Sequence, residues 1–130
     1  MAEDRAAQAA QLWLAAGASL VALVAWGSLT PSPPDVDISI PHFDKFEHFG
    51  AYLAMTAWFA AAFPRRLYWV AATFILVGGL IEILQMFTGR DAEWLDWAAD
   101  CAGAAVAIWY PTRWLSRLRL AFIQFYAHAG

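Results

Sequence analysis

Four long apolar runs separated by short polar breaks organise the chain. The first, Ala9 to Leu29, is interrupted only by Gln11, Ser19 and Ser28. At a helical rise of 1.5 Å per residue it covers about 30 Å, the thickness of a bilayer's hydrocarbon core. The second span is expected from about Phe46 to Phe63, the third from Leu67 to Phe87 and the fourth from Trp94 to Tyr110. Between the first two, Thr30 to Pro41 holds four prolines with Asp35 and Asp37, a composition that cannot continue a helix and reads as an extramembrane loop. Pro64-Arg65-Arg66 makes the turn between spans two and three. In span four, Ala98, Ala99, Ala102, Gly103 and Ala105 form a nearly side-chain-free surface expected to lie against protein. The tail from Arg113 to Ala129 sets Trp114, Leu115, Leu118, Ala121, Phe122 and Phe125 at helical spacing, away from Arg113, Arg117, Gln124 and His128. The predicted fold is all-α: a four-helix transmembrane bundle over residues 1–112, followed by a C-terminal amphipathic interfacial helix over 113–130.

Composition agrees with immersion in lipid, since 62% of the residues are hydrophobic and 15% charged, against roughly a quarter charged in soluble domains. Met1 to Arg5 is net acidic and the first run is long, so it reads as an uncleaved anchor instead of a secretory signal. With four spans both termini share one side, which then carries Arg5, Arg65, Arg66, Arg113, Arg117 and Arg119 against Lys45 and Arg90 opposite. That excess places the termini in the cytoplasm. The net charge of −3, with most of the arginines confined to short stretches outside the apolar runs, argues against nucleic acid as a partner. Cys101 is the only cysteine, which excludes an intrachain disulfide and a cysteine-built zinc site, and it reads as a small packing residue. Trp13, Trp69, Trp94 and Trp109 fall near span ends, as interfacial anchors do.

This topology brings ionisable residues from three distant segments to the non-cytoplasmic face. Asp44, His48 and Tyr52 are successive i,i+4 neighbours descending span two, with Lys45 beside them. Glu82 lies about 8 Å below the end of span three, with Gln85 one turn above it on the same face. Asp96 and Asp100 repeat the i,i+4 spacing in span four, and Arg90 precedes it. A carboxylate at such depth costs a few kcal/mol unless it meets a partner or water, so Glu82 and Asp100 are expected to point inward. Pairing of Glu82 with Arg90, and of Asp96 or Asp100 with Lys45 or His48, would hold the helices in register. A single pair would do that, whereas the number of converging groups points to a binding or catalytic site. The loop acids Asp91 and Glu93 are expected to be merely solvated.

The same residues resemble the VanZ-like family of small membrane proteins. Asp44-Lys45-Phe46-Glu47-His48-Phe49-Gly50-Ala51-Tyr52 is similar to its Asp-Lys-x-x-His-Phe-x-x-Tyr signature. Glu82 to Phe87 is similar to its Glu-x-x-Gln-x-Phe, Gly89-Arg90 to its Gly-Arg, and Asp96 to Gly103 to its Asp-x-x-x-Asn-x-x-Gly, with Asp100 standing where the family usually has Asn. The resemblance covers about Pro41 to Ile108. It implies a bacterial inner-membrane protein of the cell envelope, linked through the family's founding members to resistance to glycopeptide antibiotics such as teicoplanin.

Three functions follow as expectations. The first is a binding protein in which Lys45, Arg90 and protonated His48 hold an anionic headgroup or envelope glycolipid precursor, while Glu82, Gln85, Asp96 and Asp100 accept hydrogen bonds. The second is an enzyme acting on an outer-leaflet lipid, with His48 or Glu82 as general base and Arg90 or Lys45 stabilising an oxyanion. The third is a structural subunit contacting a membrane-protein partner through its aromatic tail. No cofactor or resident metal is expected, the nearest candidate set for a divalent ion being Glu82, Asp96 and Asp100.

Overall fold

A computed structural model describes residues 1–31, 43–89 and 92–128. Among them the chain is all-helical: α1 (Ala2–Leu29), α2 (Phe43–Ala62), a short 3₁₀ turn (Pro64–Arg66), α3 (Leu67–Thr88), α4 (Trp94–Ala107) and α5 (Tyr110–His128). Most of the proline-rich loop expected over Thr30 to Pro41 lies outside the described residues. Two stretches, Ala2–Leu29 and Pro64–Thr88, are long and apolar enough to cross a membrane by length and composition.

Local chemistry sets the boundaries. Pro64 opens the 3₁₀ turn, its missing N–H falling where a helix start has no acceptor for one. Gly89 ends α3 in the left-handed region at φ 76°, a conformation that glycine adopts without steric cost. Helix α4 stops at Ala107, short of the expected Tyr110, at 14 residues. The cause is Pro111, which has no N–H to donate to the Ala107 carbonyl one turn back. Thr112 Oγ1 donates to that carbonyl instead, at 2.5 Å, and α5 begins at Tyr110.

Helices α2 and α4 form the tightest pair in the bundle, flanked by α3, with α1 and α5 packed on the outside. The close crossing centres on Gly103, where an added Cβ would meet the Phe49 carbonyl oxygen. The small-residue surface expected on span four is corrected in part. Gly103 is buried, but Ala98, Ala102 and Ala105 face outward and Ala99 is half-buried. The buried stripe is Asp96, Asp100, Gly103, Ala104 and Ala107, because the polar residues that seek partners select the face that turns inward.

Toward the chain termini, Trp13 and Trp58 stack at 4.0 Å, with Phe122 of α5 beside them. Each indole donates to the other's backbone, Trp13 Nε1 to Trp58 O at 3.3 Å and Trp58 Nε1 to Trp13 O at 2.9 Å. Trp13 is therefore a core residue and not the interfacial anchor expected, whereas Trp69, Trp94 and Trp109 are exposed. Helix α5 presents Thr112, Ser116, Arg119, Ile123 and Tyr126 toward the bundle, while Trp114, Leu118 and Phe125 face away from it. It starts before the expected boundary at Arg113 and packs on α1 and α2.

The apolar core is small, built around Tyr52, Met55 and Phe74. Outside it, Leu76, Met86 and Phe87 are 68–81% exposed, while Glu82, Gln85, Asp96 and Asp100 are buried. This is the reverse of the distribution that water imposes.

Candidate functional site

The N-terminal ends of α2 and α4 and the C-terminal end of α3 meet, and their ionisable side chains form two layers. In the outer layer Lys45 Nζ lies 2.5 Å from Asp44 Oδ2, 2.6 Å from Glu93 Oε2 and 2.6 Å from Asp96 Oδ1. Burial opposes the ammonium charge, but the hydrogen bonds that Lys45 donates to these three carboxylates outweigh it and raise the Lys45 pKa above that of an ordinary lysine.

In the inner layer, one turn further along α2, His48 Nδ1 is 2.9 Å from Asp100 Oδ1, and His48 Nε2 is 3.8 Å from Asp96 Oδ2. When Asp100 is ionised it can only accept, and His48 then donates to it from Nδ1. Glu82 Oε2 accepts the backbone N–H of Glu93 at 3.0 Å. Gln85 donates through Nε2 to the Ser28 carbonyl at 2.9 Å, bringing the end of α1 to the site. Glu82 Oε1, Gln85 Oε1, the Tyr52 hydroxyl and Thr56 Oγ1 are buried without hydrogen-bond partners. Buried polar atoms are satisfied in the great majority of cases, so such a concentration calls for an explanation.

Room for the inner layer comes from Gly78 on α3. A Cβ there would lie 2.7 Å from Asp100 Oδ2 and 3.2 Å from the Tyr52 ring. Beside it, α3 and the start of α4 enclose a groove of about 550 Å³ lined by Leu76, Leu80, Ile83, Met86, Trp94 and Trp97, with Glu82 and Glu93 as its acidic members. Trp97 holds the groove's wall by donating from Nε1 to the Ile75 carbonyl at 2.9 Å.

Of the residues expected at the site, Asp44, Lys45, His48, Tyr52, Glu82, Gln85, Asp96 and Asp100 come together at this end of the bundle. Arg90, and with it the pair expected with Glu82, lies outside the described residues, as does Asp91. Glu93 is corrected. It is not a bystander of the loop, since its carboxylate pairs with Lys45 and its N–H with Glu82. Its position three residues before Asp96, at the start of α4, was the available signal. Gly78, four residues before Glu82, was the signal for space on the inward face of α3. Comparison with protein-family models, with curated proteins and with solved structures returns no match.

Proposed function

We propose that this chain is a multi-pass protein of the bacterial inner membrane that binds a polar envelope lipid at its non-cytoplasmic end. In this reading α1, α2 from about Phe46, α3 and the stretch from Trp94 to Tyr110 are the four spans, the last of them short because α4 itself has 14 residues. Both termini face the cytoplasm, and α5 lies at the inner interface. The outward apolar surface supports membrane immersion. Exposed Trp69 and Trp109 near one end and Trp94 near the other match interfacial belts. The arginine asymmetry supports the orientation. The VanZ-like motifs support a place in the cell envelope.

The observation that carries lipid binding is the apolar groove between α3 and α4, which ends on buried Glu82 with one carboxylate oxygen unpartnered. An acyl chain fits the apolar wall, and a headgroup donor fits Glu82. Lys45 is already surrounded by three carboxylates, so the expected anion contact through Lys45 gives way to recognition of a donor. We assign the headgroup to the amine- or hydroxyl-bearing class.

Native mass spectrometry of the protein extracted from its own membranes tests this. We expect a retained lipid on the wild type and its loss from Gly79→Leu, a substitution that projects a side chain toward Trp97 at the groove. Wild-type protein that carries no lipid, or a Gly79→Leu variant that retains it equally, would contradict the proposal. An enzymatic reading draws on the His48 and Asp100 pair, in which the carboxylate orients the imidazole as a base is oriented.

A further inference from the structure

Two triads at the polar end each offer three donor atoms within 4.8 Å of one another: Asp44, Glu93 and Asp96, and His48, Glu82 and Asp100. The first already surrounds a cation, because Lys45 Nζ sits within 2.6 Å of an oxygen from each member. The second has no such occupant among the described residues. It sets two carboxylates against one imidazole, deeper than the first, with Asp100 1% and Glu82 8% exposed. Glu82 Oε1 has no partner there.

We propose that His48, Glu82 and Asp100 form a binding site for a divalent first-row metal ion of the zinc or manganese class. The donor set decides the class. Magnesium and calcium favour oxygen ligands throughout, whereas one imidazole with two carboxylates suits the transition ions. The 2.9 Å between His48 Nδ1 and Asp100 Oδ1 is close to the edge of roughly 3.0 Å between adjacent ligands about 2.1 Å from an octahedral ion and shorter than the roughly 3.4 Å of a tetrahedral one, which favours the manganese class over zinc. Binding would displace the Nδ1 proton and couple affinity to pH, as ligand deprotonation does generally. The Tyr52 hydroxyl and Gln85 Oε1 are also buried and unpartnered at this end of the bundle. Asp96, grouped with Glu82 and Asp100 on sequence grounds, is replaced in this set by His48 because Lys45 holds Asp96. The metal reading shares Glu82 with the lipid reading, where that residue meets the headgroup, but His48 and Asp100 do not line the groove, so a substitution at the groove wall separates the two.

The test uses the full chain in detergent, stripped with chelator and titrated with zinc chloride alone, then with manganese chloride. Metal content after dialysis and thermal melting are read in parallel. We expect about one ion per chain and a rise in melting temperature that saturates with metal. Glu82→Gln and Asp100→Asn should each weaken binding at least about tenfold while keeping the helical circular dichroism spectrum, and Asp44→Asn in the outer triad should retain it. Gly79→Leu should bind metal as the wild type does, whatever becomes of lipid. Negligible metal on folded wild-type protein overturns the proposal. So does binding that survives both inner-triad substitutions. If either variant fails to fold, Glu82→Asp, which keeps the carboxylate, should restore folding and measurable binding, and folded Glu82→Asp without metal counts equally against the site.

Discussion

At the end of the bundle nearer the chain termini, Trp13 and Trp58 stack and satisfy each other's indole N–H groups, with Phe122 against them. At the opposite end five carboxylates, Asp44, Glu82, Glu93, Asp96 and Asp100, gather around Lys45 and His48. Both ends join helices that are distant in sequence, and the two indole N–H groups of the first are both paired, although Arg119 Nε on the neighbouring α5 is buried without a partner. The polar end leaves Glu82 Oε1, Gln85 Oε1 and the Tyr52 hydroxyl unpartnered. A purely structural device has no reason to bury such groups, because each unmet one costs about 1–3 kcal/mol. The contrast underlies the proposal that the aromatic end stabilises the bundle and the polar end recognises a ligand.

Substitutions can separate the two. The largest effect is expected for Gly103→Ala, whose Cβ would meet the rigid Phe49 carbonyl at the crossing of α2 and α4. We expect a loss of about 3 kcal/mol or more, the upper range for overpacking, seen in thermal melting and in both ends failing together. Trp58→Ala removes the stacked partner of Trp13, and by analogy with other large-to-small core changes should cost about 3 kcal/mol while ligand and metal binding at the polar end persist. Gly78→Ala crowds Asp100 and Tyr52. It should cost about 1–3 kcal/mol and, unlike Trp58→Ala, impair binding beyond its effect on melting.

The smallest effect concerns Lys45. Its pKa is raised in the folded protein, so its contribution is complete below the unfolded value of about 10.4 and is lost as pH rises through the higher folded value. Lys45→Met should lower stability by about 1 kcal/mol, since the pairs with Asp44 and Glu93 are half-exposed. The gap from wild type should be constant between pH 7 and 9 and shrink only in strong alkali, as followed by melting across pH.

Much of this arrangement was legible in the residues. The i,i+4 spacings of Asp44, His48 and Tyr52, and of Asp96 and Asp100, fixed which side chains could share a face, and α3 matches its expected span at its first residue. What spacing could not supply was partner choice. Whether Asp96 meets Lys45 or His48 depends on interhelical distance, set by Gly103 and Gly78, and not on periodicity within either helix. Trp13 resembled an interfacial anchor because position along a span does not reveal rotation about its axis. The early end of α4 was readable from Pro111, whose effect reaches one turn back to Ala107. On α4 the expected inward positions of Asp100 and Gly103 hold, while Ala98, Ala102 and Ala105 turn outward for the same reason that Trp13 turns in. The alanines suggest a contact surface by their size, but Asp96 and Asp100, interleaved with them, dictate the rotation.

The comparison of the two ends turns on Glu82, and the most direct test measures stability and binding of one isosteric variant side by side. Wild type and Glu82→Gln, purified lipid-free in detergent, are melted with and without added phosphatidylethanolamine. A recognition site predicts that lipid-free Glu82→Gln melts at or above the wild-type temperature, because a buried charge has been removed, and that the lipid-induced rise seen in the wild type disappears. A helix staple predicts the opposite, a marked fall in the lipid-free melting temperature with an unchanged response to lipid, and that result would contradict the account.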